Sequence, residues 1–246
     1  MYSGCLRAIR RCCERCSRGR LLRSRGPDMA FTDELRARFD SEWRATHHDH
    51  PFVVGIGDGT LPLDRFRFFM QQDYLFLVDY SRAIAIASAK SPDLDSMGHW
   101  AKLLDETLNS EMSLHRSFCV DFGITEEELA ATTPTPATLS YTKHLVDTAY
   151  AYGIAEIAAA LLPCQWGYDD AGQCLAANLT APEGSLHARW VAGYNDPEYR
   201  EITAWLRGFT DDLASEASDE VRDRMATLFK ESLHQEYLFW EAPLGG

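Results

Sequence analysis

The sequence predicts an all-α protein. In its long segments the large apolar residues recur every three or four positions, which is the spacing of one face of a helix. Several of these segments begin with a polar cap, in some cases followed at once by proline, and both are start signals for helices. No run of alternating β-branched residues, the pattern typical of strands, occurs in the chain.

Charge is unevenly distributed along the chain. Eight arginines against Glu14 and Asp28 give residues 1–28 a charge of +6, so residues 29–246 carry −19 within a net charge of −13. The leader is also rich in cysteine, and transit peptides share its arginine-rich, acid-poor composition. We expect residues 1–28 to be disordered or not translated, with Met29 as the true start. Residues 29–246 are expected to form one helical domain.

Composition argues against several classes of protein. Residues 29–246 contain only four lysines, which disfavours a nucleic-acid partner. No apolar run reaches the roughly 18 residues that a membrane span needs. The seven cysteines lack framework spacing, and Cys13 and Cys16 have no second pair to complete a zinc site. We therefore expect a soluble protein of a reducing compartment, the cytoplasm.

The first helix is expected to begin at a cap, Thr32, and to bury a stripe of Leu35, Phe39 and Trp43. The histidines between residues 47 and 50 are predicted to lie in a polar loop, because their spacing gives no i, i+4 pair for a metal. The glycine-rich stretch 50–62 is predicted to be a tight connector.

A long helix is predicted from Pro62 to Lys90. Asp73 lies on its apolar stripe, seven residues after Phe66 and seven before Tyr80. An unpaired buried carboxylate is costly, so Asp73 is a candidate functional residue. A buried salt bridge or a cap to a backbone amide is the structural alternative.

A second long helix is predicted between Pro92 and Gly123. Glu111 and His115 stand four residues apart on it, a spacing that could hold iron or zinc, but a di-iron site would need further pairs on facing helices. We predict instead that these two side chains are hydrogen-bonded to each other. A capping box, Thr125 to Glu128, predicts a short helix next.

The remaining chain is predicted to be helical as well. Tyr141 and Tyr152 are expected to face the core, and Gly153 to precede a helix rich in small residues. Four helices are predicted to begin at polar caps: Thr135, Ser185, Asp196 and Ser218.

Cys164 lies in the small-residue helix, directly after Pro163. Proline normally kinks or breaks a helix, which would place the thiol at a bend between apolar and aromatic neighbours. Such a thiol is either inert packing or a nucleophile, depending on whether a carboxylate or a base lies nearby.

Glu236 lies on the buried seam of the last helix, between Leu233 and Trp240. If Glu236 and Asp73 converge on Cys164, the site has a nucleophile, an acid for a leaving group and an acceptor for N–H donors. Desolvation would raise the pKa of one carboxyl group. Flat walls for a small amino-substituted heterocycle would come from Tyr141, Tyr168, Tyr194 and Trp166.

Five stretches resemble, in this order, the cysteine-containing branch of the TenA family, thiaminase II or aminopyrimidine aminohydrolase: HPFVVGIGDGTLPLDRFRFFMQQDY, EMSLHRSF, SYTKH, AEIAAALLPCQWGY and HQEYLFW. The resemblance covers nearly everything after Met29. It implies a haem-oxygenase-like helical bundle without haem, a homotetramer, no metal or cofactor, and a role in thiamin salvage. The implied reaction converts 4-amino-5-aminomethyl-2-methylpyrimidine to the hydroxymethyl pyrimidine, with weaker cleavage of thiamin.

The resemblance also implies roles for three residues. Cys164 in LLPCQW matches the nucleophile that adds to the pyrimidine ring. Glu236 in HQEYLFW matches the acid that protonates the departing amine and then assists water. Asp73 in QQDY matches the residue that holds the ring amine and a ring nitrogen.

Two tyrosines and one departure complete the implied site. Tyr141 in SYTKH and Tyr194 in AGY match pocket tyrosines. Where the family commonly has a tyrosine three residues after the aspartate, this chain has Phe76, so the ring wall is kept and one hydroxyl is missing. Substrate orientation or turnover rate is expected to differ for that reason.

Two other functions fit the same residues. One is a pyrimidine-binding or regulatory protein that keeps the pocket and lacks catalysis. The other is a metal-dependent oxidase of the same fold. Ammonia release from the aminomethyl pyrimidine distinguishes the first from a hydrolase, and metal analysis tests the second.

The charge of −19 on residues 29–246 indicates an acidic, self-repelling surface, which fits a protein that works in high salt. Screening by salt weakens the repulsion between like charges, so the free energy of unfolding is expected to rise as KCl is added. Denaturant unfolding at increasing KCl concentration measures this dependence. A flat response would remove the interpretation that the surface is adapted to high salt.

Overall fold

The computed structural model describes residues 29–245, and every regular element in that range is a helix, as predicted. The segment 1–28, with the expectations about its order, its translation and Cys13 and Cys16, lies outside the described residues. The α-helices are α1 Phe31–Arg38, α2 Asp40–His47, α3 Pro51–Asp58, α4 Leu63–Lys90, α5 Leu94–Asp105, α6 Met112–Asp121, α7 Glu126–Ala131, α8 Pro136–Ala151, α9 Ile154–Ala177, α10 Leu186–Tyr194, α11 Pro197–Glu216 and α12 Asp219–Glu241. A π-helical segment, Glu106–Glu111, joins α5 to α6, and a 3-10 helix, Ala242–Leu244, follows α12.

Helix α9 lies at the centre of the packing. It packs most extensively against α12 and α11 and also contacts α2, α3, α4, α8 and α10. Sixteen of its 24 residues are buried, which explains the small side chains along it. Of the predicted kink or break at Pro163, the break does not occur, because the helix continues through this residue. Proline removes one backbone hydrogen bond, and packing on all sides holds the helix together there.

Helix α1 begins one residue before the predicted cap. Thr32 is inside the helix and fully buried. Its backbone N–H donates to Asp211 Oδ1 at 2.7 Å, and its hydroxyl donates to Asp211 Oδ2 at 3.2 Å. A carboxylate from α11 therefore satisfies the helix terminus, and no local cap is needed.

The predicted polar loop is present at residues 48–50, which join α2 to α3, although His47 still belongs to α2. The predicted connector is wrong, because α3 occupies most of residues 50–62. His50 caps α3 by accepting a hydrogen bond from the Phe52 backbone at 3.2 Å, and its other ring nitrogen lies 3.0 Å from Glu241. His47 is fully buried against Trp43. Glycines that suggested a turn mainly allow close packing here, and only Gly59 adopts a left-handed conformation.

Most predicted helix starts are confirmed. The side chains of Thr135, Ser185, Asp196 and Ser218 each accept a backbone N–H at a helix N-terminus, and Thr125 with Glu128 forms the capping box. Tyr152 does not face the core: α8 ends before it, and its side chain is exposed.

The two long helices predicted in the first half are present. Helix α4 buries the whole predicted stripe, including Asp73. The helix predicted after Pro92 contains a π-helical segment that ends at Glu111, a feature often found at functional sites. None of the described helices is long and apolar enough to cross a bilayer.

Gly172 allows α9 and α10 to approach each other closely. A Cβ at this position would lie 2.5 Å from the carbonyl oxygen of Tyr194 and 2.7 Å from its carbonyl carbon. A Cβ at Gly208, inside α11, would have no neighbouring atom within 4 Å. The two glycines therefore form a matched pair for substitution.

Gly172→Ala is expected to lower the free energy of unfolding by about 1–3 kcal/mol, because backbone atoms must move to admit the methyl group. Gly208→Ala is expected to be neutral or stabilising by up to about 1 kcal/mol, because alanine favours the helix. Urea denaturation of both variants measures the difference. Equal stabilities would show that the α9–α10 contact yields without cost.

Candidate active site

Six helices and the π-helical segment bring ionisable side chains to one buried region beside α9. Asp73 comes from α4, His115 from α6, Cys164 from α9 and Glu236 from α12, and each is less than a tenth exposed. Glu111, at the end of the π-helical segment, joins this group. Phenol groups of Tyr80, Tyr141, Tyr168 and Tyr194 surround it, and all four are buried. The structure thus brings together the three distant segments that carry the predicted thiol and carboxylates.

Cys164 and Glu236 lie side by side. The carboxyl group of Glu236 acts on the thiol strongly enough to raise its pKa. Tyr141 donates its hydroxyl to Glu236 Oε1 at 2.7 Å, whereas Oε2 has no hydrogen-bond partner among the described residues. One oxygen of Glu236 is therefore held in place while the other is available to a neighbour.

Burial dominates the acid–base properties of this pair. It raises the pKa of Glu236 to about 8, against the opposing effect of the hydrogen bond from Tyr141. Burial also raises the pKa of Cys164 well above its usual range, and Glu236, Glu111 and Asp73 raise it further. At neutral pH the resting thiol keeps its proton, and a base is needed before it can act as a nucleophile.

Asp73 is paired with a histidine. His115 Nε2 lies 2.9 Å from Asp73 Oδ2 in an ion pair, although the atoms lack hydrogen-bond alignment and Oδ2 has no other donor in the described chain. Burial alone would lower the pKa of His115. The carboxyl groups of Asp73 and Glu111 together outweigh burial, so the pKa is raised. The predicted hydrogen bond between Glu111 and His115 is therefore wrong, because His115 turns to α4.

Glu111 has a different partner. Tyr194 donates its hydroxyl to Glu111 Oε1 at 3.0 Å, so the predicted pocket tyrosine is held by the π-helical segment. Burial raises the pKa of Glu111 to about 7. The region therefore contains two carboxyl groups with raised pKa values and one carboxylate next to a histidine.

Aromatic rings wall the region. Phe76 packs at 4.8 Å from Tyr141, and Tyr168 packs at 4.9 Å from Tyr194, in ring-centroid distances. Trp166 is not part of this wall. It packs against Trp43, with ring centroids 4.7 Å apart, and lies beneath the Arg207 guanidinium. Trp166 follows Cys164 by two positions, and side chains two positions apart on a helix point to different faces.

A cleft of about 240 Å³ opens next to the buried groups. Glu111, Tyr194 and Gln165 line it, together with Tyr199 and Ile202. Cys164, Glu236 and Asp73 do not line this cleft, whereas Glu111 and Tyr194 belong both to its lining and to the buried group.

Sequence reasoning missed three contributors. Tyr80 was predicted only as a core residue, although its position seven residues after Asp73 already placed it on the same helix face. The His115 pairing and the contact of Gln165 with Tyr80 join residues 42 and 85 positions apart, respectively. Nothing in the local pattern could have indicated either contact.

Known proteins resemble this chain along most of its length. The model of the TENA/THI-4/PQQC family matches residues 36–245. An aminopyrimidine aminohydrolase from Halalkalibacterium halodurans is 37% identical over 213 residues, covering 87% of this chain and 95% of that protein. The aminopyrimidine aminohydrolase of Bacillus subtilis is 36% identical over 212 residues, covering 86% and 89%.

Solved structures agree with these matches. A TenA family transcription regulator from Silicibacter sp. TM1040 has a TM-score of 0.81 and 31% identity, covering 88% of this chain and 97% of that one. A domain of unknown function with a haem oxygenase-like fold, from Shewanella denitrificans, has a TM-score of 0.70 at 12% identity, covering 87% and 91%. This second likeness confirms the predicted haem-oxygenase-like fold. The chain belongs to the TENA/THI-4/PQQC family.

Proposed function

We propose that this protein is an aminopyrimidine aminohydrolase that acts in thiamin salvage. It converts 4-amino-5-aminomethyl-2-methylpyrimidine and water to the hydroxymethyl pyrimidine and ammonia, and it cleaves thiamin more weakly. The observation that carries the proposal is the burial of the Cys164 thiol together with the carboxyl groups of Glu236 and Asp73, both of which raise the pKa of the thiol. The names of the relatives from H. halodurans and B. subtilis support the same substrate class.

Asp73 and the aromatic walls bind the ring in this proposal. The carboxylate of Asp73 accepts an N–H of the ring amine, and His115, whose Nε2 lies 2.9 Å from Asp73 Oδ2, balances its charge. Phe76 and Tyr141, which pack against each other with ring centroids 4.8 Å apart, supply flat surfaces for a planar heterocycle. Tyr194 closes the site on the side of the cleft.

Cys164 is the nucleophile, in the cysteine-containing branch of the family. Its thiol passes a proton to the ionised form of Glu236, and the sulfur forms a bond to an sp² carbon of the ring. Glu236 then gives this proton to the departing amine as the bond between the methylene carbon and nitrogen breaks. Water adds to the methylene carbon after losing a proton to Glu236, and the sulfur leaves with its bonding electrons and regains the proton.

The proposal includes the setting of the enzyme. A reduced Cys164 suits the cytoplasm, and the free thiols Cys119 and Cys174 suit it as well. The homotetramer implied by the family resemblance belongs to the same proposal, and the mass of the protein in solution tests it. No nucleic acid or membrane takes part in the reaction.

A pyrimidine-binding regulator is the second candidate. One structure with 31% identity to this chain is named as a transcription regulator of the TenA family. Such a protein would use the same walls and Asp73 but would need neither the thiol nor the proton transfer. The two candidates therefore differ in what Cys164 does.

Cys164→Ser is expected to lower kcat by roughly a thousandfold or more, because the hydroxyl is a far weaker nucleophile than the thiol. Binding of the aminomethyl pyrimidine, measured by calorimetry, is expected to persist. Ammonia release measures turnover. Cys174→Ser, on the same helix but only partly buried and ten residues from Cys164, is the matched control and is expected to keep full activity. Full activity of Cys164→Ser would contradict the proposed mechanism.

The pKa of Glu236 gives a pH prediction. Its carboxyl group accepts the thiol proton only when ionised, so kcat/KM is expected to rise as the pH increases through about 8. The Tyr141 hydrogen bond lowers the pKa of Glu236, so Tyr141→Phe is expected to move this rise upward by about one pH unit. Initial rates at low substrate across the pH range measure both. A rise that stays in place, or moves to lower pH, would show that Glu236 is not the titrating group.

A further inference from the structure

Two side-chain hydrogen bonds join α8 to α12 beside the buried site. Tyr141 donates its hydroxyl to Glu236 Oε1 at 2.7 Å. His144 Nε2 is hydrogen-bonded to the hydroxyl of Ser232 at 2.8 Å. In each pair the first residue belongs to α8 and the second to α12. The His144–Ser232 hydrogen bond takes no part in the proposed reaction, so its presence next to the site needs another explanation.

The two hydrogen bonds are neighbours along a pair of antiparallel helices. His144 comes three residues after Tyr141 on α8, and Ser232 comes four residues before Glu236 on α12. Such spacings place side chains on one face of a helix, about 4.5 to 6 Å apart along its axis. A shift of α8 along α12 that breaks one of these hydrogen bonds therefore strains the other.

Burial makes the His144–Ser232 hydrogen bond sensitive to the alignment of the two helices. Ser232 is fully buried, and the side chain of His144 is 13% exposed. A buried hydroxyl group that loses its partner costs free energy, so this pair favours one alignment of α8 on α12. The other ring nitrogen of His144 lies 3.8 Å from the exposed carboxylate of Glu231.

The Tyr141–Glu236 hydrogen bond needs that alignment. Its length is the usual one for an O–H···O hydrogen bond, which weakens when the atoms are displaced or tilted. Phe76 packs against the ring of Tyr141, but apolar contacts are non-directional and do not fix where the hydroxyl lies. The adjacent hydrogen bond between the same two helices does fix it.

We infer that His144 and Ser232 are positioning residues, whose hydrogen bond holds α8 on α12 so that the Tyr141 hydroxyl meets Glu236. They act through Tyr141 and touch no substrate. This inference rests on the proposed role of Glu236 as the group that accepts and returns the proton.

The titration of Glu236 reports whether the Tyr141 hydroxyl is in place. Burial raises the pKa of Glu236, the hydrogen bond from Tyr141 lowers it, the Asp73 carboxylate raises it and Cys164 lowers it. Weakening the hydrogen bond from Tyr141 therefore raises the pKa further.

The other titratable groups near these hydrogen bonds keep one state where Glu236 titrates. Burial raises the pKa values of Tyr80 on α4 and Tyr168 on α9 well above their usual range, so both stay protonated. Burial lowers the pKa of His144, against the carboxylates of Glu231 and Asp147, so its ring is neutral there. A changed midpoint is therefore assigned to Glu236 and its partner.

His144→Leu and His144→Gln form a matched pair in the whole protein. Leucine removes the hydrogen bond, whereas the glutamine amide can take the place of Nε2 as donor or acceptor. Infrared absorption of the protonated Glu236 carboxyl, taken as the difference from the same protein carrying Glu236→Gln, measures the titration without substrate. The midpoint is expected to rise by about half a pH unit in His144→Leu and by less than about 0.2 unit in His144→Gln.

The rate of ammonia release gives a second readout. Because a shift of half a unit changes the ionised fraction about threefold below the midpoint, kcat/KM of His144→Leu is expected to fall about threefold near pH 6.5 and by less than about twofold near pH 9.5. A general loss of packing would instead lower the rate at every pH. An equal loss across the pH range, with an unchanged infrared midpoint, would overturn the inference.

A double variant tests whether His144 acts through Tyr141. In a protein that already carries Tyr141→Phe, adding His144→Leu is expected to leave the infrared midpoint where it is, because the hydroxyl to be positioned is gone. A further rise equal to that of the single variant would contradict the inference.

Ser232→Ala removes the other partner and is expected to behave as His144→Leu does. Ser81→Ala is its matched control, because Ser81 is also buried but donates its hydroxyl to the Leu77 carbonyl oxygen of its own helix, at 2.7 Å. The control is expected to keep the midpoint of the unmodified protein, and equal midpoints for both serine variants would overturn the inference. A raised midpoint in Ser232→Ala, in a protein that releases no ammonia, would leave the positioning role standing while the hydrolase proposal failed.

Discussion

Removal of water from a group of ionisable side chains is the constraint on which this structure depends. Cys164, Glu236, Asp73 and His115 each lie less than a tenth exposed in the interior of a helical bundle. Each such group destabilises the fold unless a partner compensates it, and the compensation here is partial. Oxygens of Glu236 and Asp73 remain without hydrogen-bond donors among the described residues. A fold that keeps these costs has a use for the groups that cause them.

The rest of the bundle supplies the rigidity that such a site requires. Helix α9 is buried along most of its length, so the sulfur cannot move far relative to α4, α8 and α12. Large rings fill the space around it, with Trp190 and Trp240 fully buried. Gly172 lets the backbone of Tyr194 come into direct contact with α9, which fixes the phenol that holds Glu111. Packing far from the thiol therefore determines where its neighbours stand.

Local chemistry explains which parts of this architecture could be predicted from the sequence. Side-chain caps and apolar spacing act within a few residues, so the starts at Thr135 and Ser218 and the stripe of α4 were predictable. Long-range partners defeated the same rules. Asp211 replaced the local cap at Thr32, and close packing rather than turning explained the glycines of α3.

The candidate site also has features that the sequence predicted and features that it did not. Burial of Asp73 and Glu236 followed from their places in apolar stripes, because an inward carboxylate is visible in a periodic pattern. Their partners were not visible. His115 was assigned to Glu111 by helical spacing, yet it turns to Asp73 on another helix, 2.9 Å away. Family resemblance supplied the proposed roles of these residues, but the hydrogen bond from Tyr80 to Gln165, the residue after Cys164, emerged only from the three-dimensional arrangement.

The three carboxyl groups differ in acid–base properties because they have different partners. Asp73 has a histidine whose pKa it raises, so a negative charge is balanced at that position. Glu236 and Glu111 accept hydrogen bonds from Tyr141 and Tyr194 and have no cationic partner at comparable distance, and burial raises their pKa values to about 8 and about 7. A carboxylate with a cationic partner suits a fixed acceptor for the N–H groups of a ligand. A carboxyl group that titrates near neutral pH beside a thiol suits the transfer of a proton in both directions, because neither of its states is strongly favoured. Environment thus gives the carboxyl groups of a single buried region two different acid–base properties.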